Sequence, residues 1–363
     1  MCIVAVHVFE PVTVSVHGVE RHLDAVPEFA GFWKLVRGFL QENGVATFFF
    51  ISGYLFFAGG EMTSERYRRK LRSRVGSLFV PYVLWNAIAV LFLCVLALPV
   101  FRRFLPDFDL ANFIPSASGL ASGFVMNSLE GYPHDSPMWF IRELMLCVLT
   151  VPLVKLLPER VRGWFVAVLG ALCCLFFVGG SGWPQLLTSA LFFFYFGGWL
   201  GMRGHDLLVF FRRFRTAALI LYPLLSVLFM ALSDGPYATL AMFVKWCDLM
   251  VVIALAVNLA GWLVHRHDVR ANRFLNGATF FVFAAHFIGL DYYRKILMTV
   301  FHPATGLGTV LTFVAGYFLL LGWLLVLYWL LTRFAPAVAR VLTGKRASAQ
   351  SSPDSPAPKS AKS

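Results

Sequence analysis

The sequence has few charged residues, no cysteine pattern of a metal or disulfide site, and none of the short motifs of common soluble enzymes. Charged side chains make up 14% of its 363 residues, whereas a soluble domain has about 25%. The six cysteines lie in apolar stretches without zinc-like or disulfide-like spacing. The sequence contains no P-loop, no G-x-S-x-G elbow and no cluster of metal ligands. The low share of charged residues is atypical of a soluble globular protein, and from the absence of a ligand cluster we expect no bound metal.

Apolar residues, in contrast, are abundant. They make up 59% of the chain, and the mean hydropathy is +0.72. Because about 20 apolar residues in a helix span a bilayer, the pattern predicts an all-α integral membrane protein. We expect a bundle of about ten transmembrane helices, at about 1–9, 44–59, 78–100, 138–157, 163–179, 184–201, 215–233, 239–264, 274–293 and 305–332.

The domain organisation follows from these stretches. Residues 1–334 form a membrane domain, and 335–363 form a C-terminal end that is rich in Ser, Ala, Pro and Lys from about residue 344. Such a composition cannot build a core and predicts a disordered tail. The net charge of +12 suits cytoplasmic membrane loops better than nucleic acid, so we expect no nucleic-acid partner.

The basic residues are distributed unevenly between alternate loops. One set of loops, with Arg215 at the edge of a span and the C-terminal end from Arg333 included, has 22 Lys and Arg residues. The other set has 7. The positive-inside rule then predicts that both termini are cytoplasmic and that 10–43 and 101–137 are external loops. The first apolar stretch reaches only about 13 Å, too short for a bilayer core. It is therefore re-entrant or, as we expect, truncated.

Ionisable residues within spans are costly and are candidates for function. His7 is an interfacial histidine or a general base. Arg142 and Glu143 are either two interfacial charges or functional residues; in the functional interpretation, the guanidinium of Arg142 faces an anionic or carbonyl oxygen. As neighbours on a helix, the two residues need not pair. A buried structural role and a functional role are equally compatible with His286. Two further charges, Lys245 and Asp248, share one helical face and favour an ion pair.

A basic run at residues 66–74 lies in the first predicted cytoplasmic loop. It is either a topological anchor or a cationic mouth for a phosphate-bearing ligand, and composition alone does not separate the two.

Five segments together resemble the membrane acyltransferase-3 family of bacterial O-acyltransferases. His7 matches the histidine that ends the family's first-helix motif, and Phe48–Leu55 matches its "FFhhSGYL" motif. Arg74–Tyr82 matches "RhxRLhhPY", Met138–Leu144 matches "hWFLxxL" and Phe281–His286 matches "hYhhH". The five segments occur in the family's order. Two departures occur. The family's arginine eleven positions before the histidine would precede Met1, and Ser77 replaces the second arginine of the third-span motif.

The resemblance implies transfer of an acyl group, in the first instance acetyl, from acyl-CoA to a hydroxyl of a cell-envelope glycan or lipid-linked saccharide. It implies a multi-pass protein of the bacterial inner membrane, with no permanently bound cofactor and acetyl-CoA or another acyl-CoA as donor substrate. His7 would act as base or nucleophile, and Arg142 or another buried donor would stabilise the oxyanion. Glu143 is a further candidate catalytic residue, and His286 is the next candidate for the base. We assign donor binding to Arg72 and Arg74. The rivals are a polysaccharide or small-solute exporter and a structural subunit of a glycan-assembly complex.

Overall fold

The computed structural model describes residues 2–16, 19–41, 43–60, 62–101, 108–126, 131–180, 182–267 and 272–344. This part of the chain is predominantly helical, with one antiparallel hairpin in which Thr13 pairs with His22. The predicted all-α membrane class is therefore confirmed. Most of the predicted disordered tail lies outside the described residues.

The elements follow one another along the chain with short connections. The strands are β1 (Thr13–Val16) and β2 (Val19–His22). The α-helices are α1 (Cys2–Phe9), α2 (Pro27–Leu40), α3 (Asn43–Phe57), α4 (Ser64–Arg74), α5 (Val80–Leu96), α6 (Ala117–Ser122), α7 (Trp139–Lys155), α8 (Glu159–Gly179), α9 (Gly182–Met202), α10 (Leu207–Arg212), α11 (Arg215–Leu232), α12 (Ala238–His267), α13 (Arg273–Ala285), α14 (Leu290–Phe301), α15 (Gly306–Phe334) and α16 (Pro336–Leu342). One turn of π-helix, Val75–Phe79, joins α4 to α5. Short 3₁₀ turns occur at Leu23–Ala25, Pro99–Phe101, Leu110–Asn112 and Ser136–Met138.

All ten predicted apolar stretches are helical, but they are not all long enough to span a membrane. Within the described ranges, seven helices have the necessary length and apolarity, and the pair α13–α14 adds an eighth if it counts as one span. The other two stretches are α1 and α3, which have 8 and 15 residues. Composition predicts apolarity well, whereas the point at which a helix ends depends on local turn chemistry.

The ninth predicted span is broken near its middle. The helices α13 and α14 meet at 90°. Gly289, at the start of α14, has a φ of 76°, a left-handed conformation that side chains with a Cβ rarely adopt. The break puts His286 at the end of α13, where its backbone N–H still bonds to the carbonyl of Val282. An ionisable side chain is thus placed at a bend inside the bundle.

The closest helix pair is α3 with α9, and glycines make this approach possible. A Cβ added to Gly53 would lie 1.8 Å from the carbonyl oxygen of Phe194, and one added to Gly197 would lie 1.9 Å from that of Phe50. Small residues let membrane helices bring their backbones together. The glycine in the Ser-Gly-Tyr-Leu motif of the second predicted span is therefore explained by packing.

The first predicted external loop carries the hairpin and α2, which packs against α1, α11 and α15. A buried ion pair lies beneath it. Lys245 Nζ lies 3.1 Å from Asp248 Oδ2, as the sequence predicted, and also donates to Asn43 Oδ1 and to the carbonyl of Gly38. These bonds connect α12 to α2 and α3, so the pair holds three helices together.

Candidate active site

His7 lies in the last turn of α1, where it meets the bend between α13 and α14. Its ring centroid is 5.4 Å from that of His286 and 5.1 Å from that of Phe287. The apolar residues Val4, Ala5 and Val8 of the same helix are buried, and they fix the direction in which His7 projects. The structure therefore brings together two histidines that are 279 positions apart in the sequence.

The tautomer of His286 follows from its hydrogen bond. Its Nδ1 lies 2.7 Å from the carbonyl oxygen of Phe283, which can only accept, so we assign the proton to Nδ1. The other nitrogen, Nε2, is buried and has no hydrogen-bond partner among the described residues. His286 thus keeps a free lone pair beside His7.

Arg294 is a third member of this group, and the sequence did not reveal it. It is one of the 7 basic residues in the loops that the positive-inside rule predicts to be external, but it lies in α14 and its guanidinium is buried. One Nη donates to Asp291 Oδ1 at 2.8 Å, and the other donates to the backbone carbonyl of His7. The guanidinium thereby fixes the end of α1, and with it the position of the imidazole.

Glu10 adds a carboxylate on the other side of His7. The carboxylate oxygen Oε2 lies 3.7 Å from His7 Nδ1, close enough for charge attraction but too far for a hydrogen bond. The interaction with His7, and to a smaller extent the charge of Arg294, holds the pKa of Glu10 below its usual value. The carboxylate of Glu10 thus places a negative charge next to the imidazole of His7.

His7 lines a cavity of about 160 Å³. Its wall also contains side chains that can hydrogen-bond to a sugar and aromatic rings that can pack against one, among them Gln41, Tyr132, Trp139, Gln185 and Ser189. We call this the His7 cavity. It lies next to the loops that the positive-inside rule predicts to be external.

A second cavity, of about 290 Å³, contains Arg74 in its wall, together with Ser52, Asn276 and Thr279. We call it the Arg74 cavity. Four residues line both cavities and therefore separate them: Ile3, Val45, Phe140 and Phe283. The two cavities meet at a partition built from α1, α3, α7 and α13, and His286 lies one turn of helix from that partition.

The side chains of the basic run at residues 66–74 lie in different surroundings. Arg66 donates to the carbonyls of Ala58 and Gly60, and Lys70 to those of Leu55 and Phe56. These carbonyls lie at the end of α3 and just after it, so the two side chains cap that helix. Arg74 instead lines the Arg74 cavity, while Arg72 is exposed.

Arg142 and Glu143 are joined to each other, although neighbours on a helix need not pair. Arg142 donates through Nε at 2.9 Å and through one Nη at 2.7 Å to Glu143 Oε1. The same oxygen accepts from Trp183 Nε1 at 3.1 Å, and Arg142 also donates to the carbonyl of Val125. These contacts connect α7 and α9 to the second predicted external loop. Neither residue lines the His7 cavity or the Arg74 cavity.

The Pro-Tyr motif has a similar anchoring role. The hydroxyl of Tyr82 donates to the carbonyl of Phe124, and Asn86 Oδ1 accepts from the backbone N–H of Asp135 at 2.9 Å. The motif therefore fastens the second predicted external loop to α5.

Within the described part of the chain, no group of three or more His, Cys, Asp or Glu side chains could hold a metal ion.

These features define a multi-pass membrane protein with a close pair of histidines, one of which lines the first of two adjoining cavities. The family model described as "Acyltransferase domain" (Acyl_transf_3) matches residues 1–329, and the chain belongs to that family. The chain is also 28% identical, over 335 residues, to the succinoglycan biosynthesis protein ExoH of Rhizobium meliloti (strain 1021). That match covers 88% of this chain and 85% of ExoH. No solved structure matches the chain.

Proposed function

We propose that this protein transfers an acyl group from an acyl-CoA, in the first instance acetyl-CoA, to a hydroxyl of a cell-envelope polysaccharide or lipid-linked saccharide. We place it in the inner membrane of a bacterium. Membership of the acyltransferase family supports the reaction class. The relative named for succinoglycan biosynthesis supports a polysaccharide acceptor. The observation that carries the proposal is the position of His7 in one cavity and Arg74 in an adjoining one.

The donor fits the Arg74 cavity. A guanidinium at its wall is suited to a phosphate, and the polar groups of Ser52, Asn276 and Thr279 are suited to the amides of a pantetheine arm. Complete ligand pockets usually measure about 300–1,000 Å³, so this cavity of about 290 Å³ holds only part of a CoA ester. The nucleotide would remain outside, and the thioester would point towards the partition.

The acceptor fits the His7 cavity. At about 160 Å³ it is smaller than an ordinary ligand pocket, so it takes one hydroxyl-bearing end of a saccharide rather than a whole chain. Gln41, Gln185 and Ser189 offer hydrogen bonds, and the hydroxyl to be acylated would lie against the imidazole of His7.

The chemistry needs a base and a proton carrier. His7 removes the proton of the hydroxyl, whose oxygen attacks the thioester carbonyl carbon. A carbon–oxygen bond forms, the carbon–sulfur bond breaks, and the proton passes from His7 to the departing thiolate. Glu10 and the dipole of His286 stabilise the imidazolium in between. General base catalysis of this kind is worth about 10²–10⁴ in rate.

The test replaces His7 by Ala and by Gln and measures the transfer of label from radiolabelled acetyl-CoA to glycan in membranes. We expect a loss of at least about 10²-fold with normal expression and an unchanged gel-filtration profile. His265→Ala, at an exposed position in α12, is the matched control and should keep full transfer. Near-normal transfer by His7→Ala would eliminate the proposed base. If the unsubstituted protein gives no label in glycan while glycan export needs it, the exporter is favoured instead.

A further inference from the structure

The partition between the two cavities has a composition that bears on which acyl groups can react. Two of its four residues are aromatic, and their rings are in contact with each other. The ring centroids of Phe140, in α7, and Phe283, in α13, are 6.0 Å apart with an interplanar angle of 78°. Both side chains are only partly buried, because each has a cavity on either side.

The location of these rings relative to the histidines is also specific. Phe283 supplies the carbonyl that fixes the tautomer of His286, and its ring centroid is 6.4 Å from that of His286. The ring centroid of Phe140 is 4.5 Å from that of Phe49, and Phe49 also lines the His7 cavity. An acyl group that moved from the Arg74 cavity to His7 would have to pass the partition, and these two rings are its bulkiest members beside Ile3 and Val45.

We infer that Phe140 and Phe283 are the residues that select the length of the transferred acyl group. The inference rests on the proposed function. With the CoA moiety on the Arg74 side and the hydroxyl on the His7 side, the acyl carbon must pass the edge-to-face pair of rings before the carbon–oxygen bond forms and the carbon–sulfur bond breaks. A short acyl group passes after a small rotation of the rings. Each further methylene requires a wider opening.

The size of the effect follows from the discrimination that apolar pockets achieve. One methylene changes kcat/KM by about 10-fold to 200-fold. Replacing either phenylalanine by leucine removes ring atoms from the partition while keeping it apolar. The ratio of kcat/KM for butyryl-CoA to that for acetyl-CoA should then rise by at least about 10-fold. We expect the same direction of change for Phe140→Leu and Phe283→Leu.

The matched control is Phe177→Leu. Phe177 lies in α8, is buried and lines neither cavity, so its replacement tests the general consequences of a smaller core residue. Its ratio of butyryl to acetyl transfer should stay at the value of the unsubstituted protein. An unchanged ratio in both partition variants, or an equal rise in the control, would overturn the inference.

A second measurement tests the partition without relying on catalysis. Gln185→Cys places a thiol in the His7 cavity, and Ser52→Cys places one in the Arg74 cavity. A small, membrane-impermeant thiol reagent is added from the face that labels Gln185→Cys, and labelling is compared with the parent protein. With both phenylalanines present, Ser52→Cys should stay unlabelled from that face; in the Phe140→Ala, Phe283→Ala background it should react.

The outcomes of the two measurements can be told apart. Labelling of Ser52→Cys as fast as Gln185→Cys, with both rings present, removes the partition and the inference with it. A closed partition with normal acetyl transfer but no change in the acyl ratio rejects acyl selection and leaves the proposed function intact. A closed partition without transfer from any acyl-CoA rejects the proposed function, and acyl selection falls with it.

Discussion

Gly53→Ala should destabilise this protein strongly, because the site leaves no room for a single methyl group. The added Cβ would lie 1.8 Å from the carbonyl oxygen of Phe194, and ordinary contact begins at 3.4 Å, so α3 and α9 would have to separate by about 1.6 Å. The obstacle is backbone on a neighbouring helix rather than a flexible side chain. Rotation of α3 does not relieve the clash, since Gly197 is pressed against Phe50 in the same way.

The expected cost of Gly53→Ala lies at the upper end of the range for overpacked sites. Inserting a methyl group into a packed core usually costs about 1–3 kcal/mol, and a gap of 0.5–1 Å already forfeits about a quarter to a half of each dispersion contact. We therefore expect a loss of about 3 kcal/mol or more. In detergent this corresponds to a fall in Tm of about 4 °C or more, measured by thermal unfolding of the purified protein.

Gly322→Ala is the matched control. Gly322 lies within α15, is exposed, and a Cβ there would meet nothing within 4 Å. Alanine is the better helix former by about 1 kcal/mol, so Tm should stay the same or rise. If Gly53→Ala unfolds within about 1 °C of the unsubstituted protein, the close approach of α3 and α9 is not as described and the reasoning is refuted.

Three further predictions concern charged residues. Arg74→Gln should weaken binding of acyl-CoA by about 10-fold or more, the loss of about one charge-assisted hydrogen bond, while Arg72→Gln at its exposed position should change binding little; equilibrium binding to the two variants decides this. Lys245→Met should lower the free energy of unfolding by about 3–5 kcal/mol because it leaves the carboxylate of Asp248 buried without its cation, and the double variant Lys245→Met, Asp248→Leu should recover most of that loss in a denaturant titration. Burial raises the pKa of the Asp135 carboxyl well above its usual value, so the folded state holds the carboxyl proton more tightly than the unfolded state does. The stability of the fold should therefore fall as pH rises above the unfolded pKa of about 3.9. Asp135→Asn should flatten this part of a curve of Tm against pH.

The sequence predicted the helices because apolar composition alone identifies them, but it could not predict where every helix ends. The stretch at 274–293 has the composition of one span and is instead two helices at 90°. The cause is local, a glycine with positive φ at position 289, and its effect on the path of the chain depends on the neighbours it packs against. The shortness of α1, in contrast, was visible in the sequence, because its 8 residues cannot span a bilayer core.

The candidate site could be predicted only in part, for a related reason. His7 and His286 were visible as ionisable residues in apolar surroundings, yet nothing in the sequence indicates that they meet. Arg294 was missed because Arg294 and Lys295 directly follow the predicted span at 274–293 and give that segment the composition of a loop. Only the fold buries that one guanidinium and directs it to the carbonyl of His7.

The motifs shared with the acyltransferase family separate into two kinds once their contacts are known. Gly53 and Tyr82 act on the fold, the first by admitting α9 and the second by holding a loop. His7 and Arg74 instead line the two cavities. His7 is fixed by α14, which is distant in sequence, and Arg74 by its own helix. A base and a guanidinium on opposite sides of one aromatic partition suit a reaction whose two substrates arrive from different compartments. Such a reaction needs a barrier between them as well as a catalyst, and in the proposed mechanism Phe140 with Phe283 forms that barrier beside His7 and His286.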